Sequence, residues 1–215
     1  MSKQISLKQA ERKVFQTAVN DGLWDLLIGS FVLMFAVGPL LSRSLGDFGA
    51  TVIFVPFWLL VYVVISLFRK YVIRPRIGFV VFGPSRNRRL TRYLIVMVVA
   101  NMVAFIAGTV SAFYFHVISD WIPMAIFGFT VLLISSFTAY FLNALRLFIY
   151  GLLFLLSFIV GEILYVNFNV PHHGFPITFG ITAAIIIITG LVIFLRLLRE
   201  NPVPVKDSLP EDQSG

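Results

Sequence analysis

The sequence predicts an all-α fold: a polytopic transmembrane helix bundle of six spans with its N-terminus and C-terminus in the cytoplasm. Three observations predict it. Of the 215 residues, 59% are apolar and 13% charged; the apolar residues gather into stretches of membrane length; and the basic residues keep to alternate connections. A soluble domain carries roughly a quarter of charged residues, so a mean hydropathy of +0.93 excludes both a soluble globule and a disordered chain. The chain has no cysteine, which excludes disulfides, thiolate nucleophiles and Cys-ligated metal clusters.

A bilayer core about 30 Å thick needs about 20 apolar residues in a helix, because backbone groups in hydrocarbon must bond to one another. Six stretches qualify: 22–41, 49–68, 93–115, 122–142, 147–166 and 177–195. The first is preceded by a long polar segment and followed by no clean small-x-small site, so it is expected to persist rather than be cleaved as a signal. In the second, Pro56 removes a backbone donor and predicts a kink. In the third, Ala100, Ala104, Gly108 and Ala112 recur every four residues, a groove for a neighbouring helix. Only residues 143–146 part the fourth from the fifth, which predicts a tight helical hairpin. Ser157 with Gly161, and Gly180 with Ala184, give the last two spans shorter small-residue faces. Pro123 and Pro176 stand near helix starts, where a missing N–H costs nothing.

Lys and Arg resist translocation. With the N-terminus inside, every one of the 17 Lys and Arg residues except Arg43 falls on the cytoplasmic side. The formal charge of +7 is therefore mainly a topology signal, and the expected location is integral to a membrane, a prokaryotic cytoplasmic (inner) membrane. No nucleic-acid reader motif accompanies the charge, so nucleic acid is not an expected partner.

Three segments lie outside the spans. Residues 1–21 form a cytoplasmic amphipathic leader, with Ser6 and Gln9 as a capping box and Leu7, Ala10, Val14 and Ala18 on one face. The basic cytoplasmic loop 69–92 carries Arg69, Lys70, Arg74, Arg76, Arg86, Arg88, Arg89 and Arg92 and no acid. Its IGFVVF run reads as a short hairpin or interfacial strand. These basic residues are candidate contacts for anionic lipid headgroups, or for another membrane protein or a second copy, each worth about 1 kcal/mol near an anionic leaflet. The tail 200–215 is rich in Pro and acidic residues and is expected to be disordered.

Candidate chemistry is sparse. A charge at the bilayer centre costs at least about 2.5–3.5 kcal/mol, which singles out Asp25 and Glu162. Asp25 has Asp21 one turn earlier on the same face, and both can reach water or pair with a basic residue of the large loop. Asn101 cannot satisfy its amide within its own helix and should bond to a neighbour. His116, Asp120, Glu162, His172 and His173 are all expected at the outer face, where imidazole and carboxylate could hold a divalent metal, although no spacing matches a known metal motif. No other cofactor is implied. The function expected from this inventory is that of a non-catalytic accessory protein acting through lipid or partner contacts. The alternatives are a small-solute, ion or proton transporter, and a metal-dependent membrane enzyme at the outer face.

Overall fold

A computed structural model of the chain describes residues 21–77, 91, 95–96, 98–99, 102–103, 106 and 121–202. Among the described residues the regular structure is all helical, and five helices are long and apolar enough to cross a membrane. They are α1 (Leu23–Gly46), α2 (Phe48–Ile73), α3 (Trp121–Leu142), α4 (Leu145–Phe168) and α5 (Phe175–Glu200). They match the first, second, fourth, fifth and sixth predicted spans. The predicted third span, with Asn101 and the Ala/Gly stripe, lies largely outside the described residues, as do the leader and nearly all of the tail.

Helical bonding in α1 runs past the predicted end at residue 41 and breaks at Gly46, with φ 70° and ψ 165°. That region is open essentially to glycine alone. Gly46 is the residue with non-helical dihedrals in this stretch, and Pro56 is carried inside α2. At the other end α2 does not stop at Phe68. A wide π-helical turn, Arg69–Ile73, and a single α-turn, Arg74–Ile77, carry helix into the segment expected to be loop. The rest of the IGFVVF run is outside the described residues.

The hairpin between α3 and α4 forms as expected. Asn143 takes a left-handed φ of 52°, and the Ala144 N–H donates to the Ala139 carbonyl at 3.0 Å. Asn169 ends α4 in the same left-handed conformation. After Pro171, three successive left-handed residues, His172, His173 and Gly174, turn the chain into α5, which carries Pro176 in its first turn.

Neighbouring helices reverse direction. α2 runs antiparallel to α1, with Trp58 edge-on to Phe31 at 5.7 Å and Arg69 at Asp21. α3 runs antiparallel to α4, with Gly128 against Leu155 and Gly151 against Ser135. α5 runs antiparallel to α1, with Gly180 near Ala36 and Gly29 against Ile187. One end of the bundle therefore gathers the starts of α1 and α4 and the ends of α2, α3 and α5. This basic end contains Arg69, Arg76 and Arg146. α2 finishes there, whereas α3 begins at the opposite end.

The middle of the bundle is aromatic. Phe158 and Phe179 meet at 4.8 Å, Phe154 and Phe179 at 5.1 Å, and Phe35 and Phe154 at 5.1 Å, all edge to face, the arrangement that the ring quadrupole favours. On α5 the buried residues Phe179, Thr182, Ala183, Ile186, Gly190, Phe194 and Leu197 follow the helical period. Gly180 borders Ala36, and Ala184, one turn on, is exposed. Ser157 and Gly161 do serve packing. The Ser157 and Thr182 hydroxyls bond at 2.7 Å, and a Cβ on Gly161 would meet the His173 carbonyl at 2.7 Å. A smaller cluster of Leu23, Ile73, Phe194 and Leu197 closes the basic end.

Candidate functional site

Two acids, Asp21 just before α1 and Asp25 within it, sit in that basic end, each facing an arginine from another helix. Gly22, left-handed at φ 76°, lets the chain enter α1 hard against α5, and a Cβ on it would collide with the Gly190 carbonyl. Asp21, just outside α1, accepts the Leu23 N–H at 2.9 Å through Oδ1, a favourable place for a carboxylate at the positive end of a helix. Its Oδ2 accepts a hydrogen bond from Arg69 Nη2 at 2.8 Å. The same guanidinium lies 5.2 Å over the Trp24 ring. Burial lifts the Asp21 carboxyl above its ordinary 3.8, and the Arg69 charge beside it opposes that rise.

Asp25 lies one turn deeper and is 0% exposed. Arg146, at the start of α4, brings Nε to 3.1 Å from Asp25 Oδ1. This is a charge contact without hydrogen-bond alignment, and neither Asp25 oxygen accepts an aligned bond among the described residues. The Tyr150 hydroxyl, one turn after Arg146, stands between Asp25 and Thr189 and is likewise buried without an aligned bond. Gly190 makes room for this cluster, since a Cβ there would come within 2.9 Å of the Asp25 Cβ.

The sequence leaves Asp21 and Asp25 to reach water or to pair with a basic residue of the large loop. Asp21 pairs with such a residue, Arg69. Asp25 instead takes Arg146 from the α3–α4 hairpin, a residue legible in the sequence only as a topology marker. Tyr150 reads there as an interfacial aromatic, yet its spacing of four from Arg146 on one helix face was the available signal. Gly22 and Gly190 carried no signal, because their close approach is a tertiary event.

Of the basic residues read as lipid or partner contacts, two are engaged within the fold among those whose side chains are described. Arg69 holds Asp21, and Arg76 Nη1 donates to the carbonyls of Leu198 and Asn201, at 3.1 and 3.3 Å, at the end of α5. Lys70 is exposed, with its Nζ 5.2 Å from the Tyr71 ring centroid. Arg86, Arg88, Arg89 and Arg92 lie outside the described residues.

At the opposite end, His173 Nδ1 and Glu162 Oε2 meet at 2.9 Å. The imidazole is layered between Tyr165, at 4.2 Å, and Phe175, at 5.5 Å. His116 and Asp120 lie outside the described residues. Among those described, no three His, Asp or Glu side chains converge as a metal-binding group.

Compared with known proteins, the chain matches no family model, no curated protein and no solved structure. The functional reading therefore rests on this geometry alone.

Proposed function

We propose that this is a non-catalytic, multi-pass integral membrane protein that works by contact, with anionic lipid headgroups and with another membrane protein or a second copy of itself. The observation that carries the reading is the filling of the bundle's middle by Phe35, Phe154, Phe158 and Phe179, with the ion pairs among the described residues confined to its two ends. Transport needs polar groups and irregular backbone near mid-bilayer, and the described middle offers instead interlocked rings and hydroxyls bonded to preceding carbonyls, such as Ser157 to Leu153.

Six spans with both termini cytoplasmic belong to the same proposal. Its support is parity: α2 ends at the basic end and α3 begins at the other, so residues 78–120 must cross the height of the bundle, and 93–115 is the stretch apolar enough to do so. Because the chain lacks cysteine, single substitutions report sidedness cleanly. Ser85→Cys should react with impermeant maleimide only from the cytoplasmic face, and His172→Cys only from the other. Reaction of both from one face ends the six-span scheme. The strength of the positive-inside bias supports a prokaryotic cytoplasmic membrane.

With Arg69 and Arg76 tied into the fold, lipid contact is assigned to Lys70, Arg74, Arg86, Arg88, Arg89 and Arg92. Purified protein in neutral detergent, titrated with anionic phospholipid, should bind in a salt-dependent manner that replacing Arg86, Arg88 and Arg89 by Gln weakens. Unchanged binding, or solute flux through proteoliposomes above that of empty vesicles, overturns the contact reading.

A metal-dependent activity at the outer face is the second reading, favoured by the Glu162–His173 pair: a carboxylate on one ring nitrogen orients the other toward a ligand. Stoichiometric divalent metal in purified protein, lost on His173→Ala, is the result it requires.

A further inference from the structure

We propose that Asp25 is a proton-binding site within the bundle, loaded from the basic end by way of Asp21. The proposal does not depend on the contact function above. A carboxylate withdrawn from water ordinarily collects two or three hydrogen bonds. Asp25 is 0% exposed, with Arg146 Nε at 3.1 Å and the Tyr150 hydroxyl as its polar neighbours, and neither oxygen accepts an aligned bond among the described residues. Next to it Tyr150, 6% exposed, holds a buried hydroxyl that also lacks an aligned bond. Two neighbouring groups thus share one deficit.

One added proton links the two groups in a single chain. Asp25, once protonated, donates to the Tyr150 oxygen, Tyr150 donates to Thr189 Oγ1, and Thr189 already donates to the Ile185 carbonyl at 2.7 Å. Tyr150 lies between Asp25 and Thr189, so the bonds run in one direction from α1 through α4 to α5. The charged acid can only accept the Tyr150 O–H, which leaves Tyr150 no proton for Thr189, so the chain runs in this direction only when Asp25 is protonated.

Among the described residues, the groups facing Asp25 are Asp21 from its own side, Arg146 and Tyr150 from α4, and Gly190 from α5; Thr189 acts through Tyr150 and Arg69 of α2 through Asp21. Asp21 is 1% exposed, whereas the Arg69 side chain holding it is 36% exposed and reaches the surface. A proton taken from water at the basic end binds Asp21 as Arg69 swings out, then passes one turn up the helix to Asp25. The cluster changes from two carboxylates and two guanidiniums to one carboxylate, one neutral carboxyl and two guanidiniums, a net gain of one positive charge.

Infrared difference spectroscopy on the full chain in lipid nanodiscs, stepping the pH from neutral to acid, tests this with the proton itself as the probe. The wild type should gain a protonated-carboxyl band that Asp25→Asn abolishes and Glu162→Gln retains. Tyr150→Phe should keep the band and shift it to higher frequency, because its hydrogen-bond acceptor is gone. Asp21→Asn should keep the band but slow its appearance after a pH jump by about a hundredfold, the scale at which a positioned acid or base accelerates proton transfer. A band that persists in Asp25→Asn, or is unshifted in Tyr150→Phe, overturns the proposal; the second comparison decides the matter if Asp25→Asn does not fold. Unchanged kinetics in Asp21→Asn overturn the route.

Discussion

Gly190 of α5 lies so close to Asp25 of α1 that a Cβ on the glycine would stand 2.9 Å from the Asp25 Cβ. Two helices meet there at backbone range, and the acid is enclosed because its neighbour has no side chain. Gly190→Ala should therefore destabilise the protein by about 1–3 kcal/mol, the range for overpacking a filled interior. Gly180→Ala on the same helix should be neutral or slightly stabilising, since its new methyl would sit 3.9 Å from Ala36. Thermal unfolding in detergent distinguishes the two.

Removing one member of a buried ion pair leaves the other charge stranded. Arg146→Met should cost about 3 kcal/mol, whereas the double variant Asp25→Asn with Arg146→Met should recover most of that loss. Denaturant titration of the four proteins in a double-mutant cycle checks it, and additive losses would show that the pair is not coupled.

The aromatic middle predicts a different pattern. Phe179→Ala should cost about 2–3 kcal/mol, somewhat below the 3–5 kcal/mol seen in water-soluble cores, because lipid rather than water surrounds the unfolded helices and only packing is lost. Ser157→Ala should cost about 0.6 kcal/mol, the usual worth of an interhelical hydrogen bond in a membrane. Equilibrium unfolding should rank the two in that order.

Asp21 gives a pH dependence with a definite sign. Its carboxyl is raised above 3.8 by burial, so the folded protein binds that proton more tightly than the unfolded chain does. The resulting stability is fully present below 3.8 and is lost as pH climbs through the raised value. Unfolding midpoints measured across the acid range should show Asp21→Asn lacking this component of the slope, and identical slopes in both proteins would count against it.

The spans were readable because hydrocarbon demands runs of apolar sequence, a property of each segment alone. Helix ends were less so: α1 ran on to Gly46 and α2 to Ile73, since flanking residues such as Ser42 and Ser44 return their hydroxyls to the preceding turn and so tolerate helix. The candidate site was half readable. A carboxylate three residues into a span announces itself by its cost, but the identity of its partner depends on which helices touch. Arg146 faces Asp25 because α4 runs parallel to α1, and nothing local to either segment encodes that choice. The phenylalanine cluster escaped for a similar reason: in so apolar a chain, ring positions on separate helices carry no contrast against their background.

Arg76 grips carbonyls that lie 122 and 125 residues further along the chain, and Asp25 waits for an arginine that emerges only with α4. During synthesis the first helix must therefore linger with an uncompensated acid near the headgroups, where water can still attend it. It can settle to full depth only after the last helix has left the ribosome. Truncating the gene before α5 should thus leave the early helices inserted but unassembled, exposed to the proteases that survey a membrane for orphaned segments.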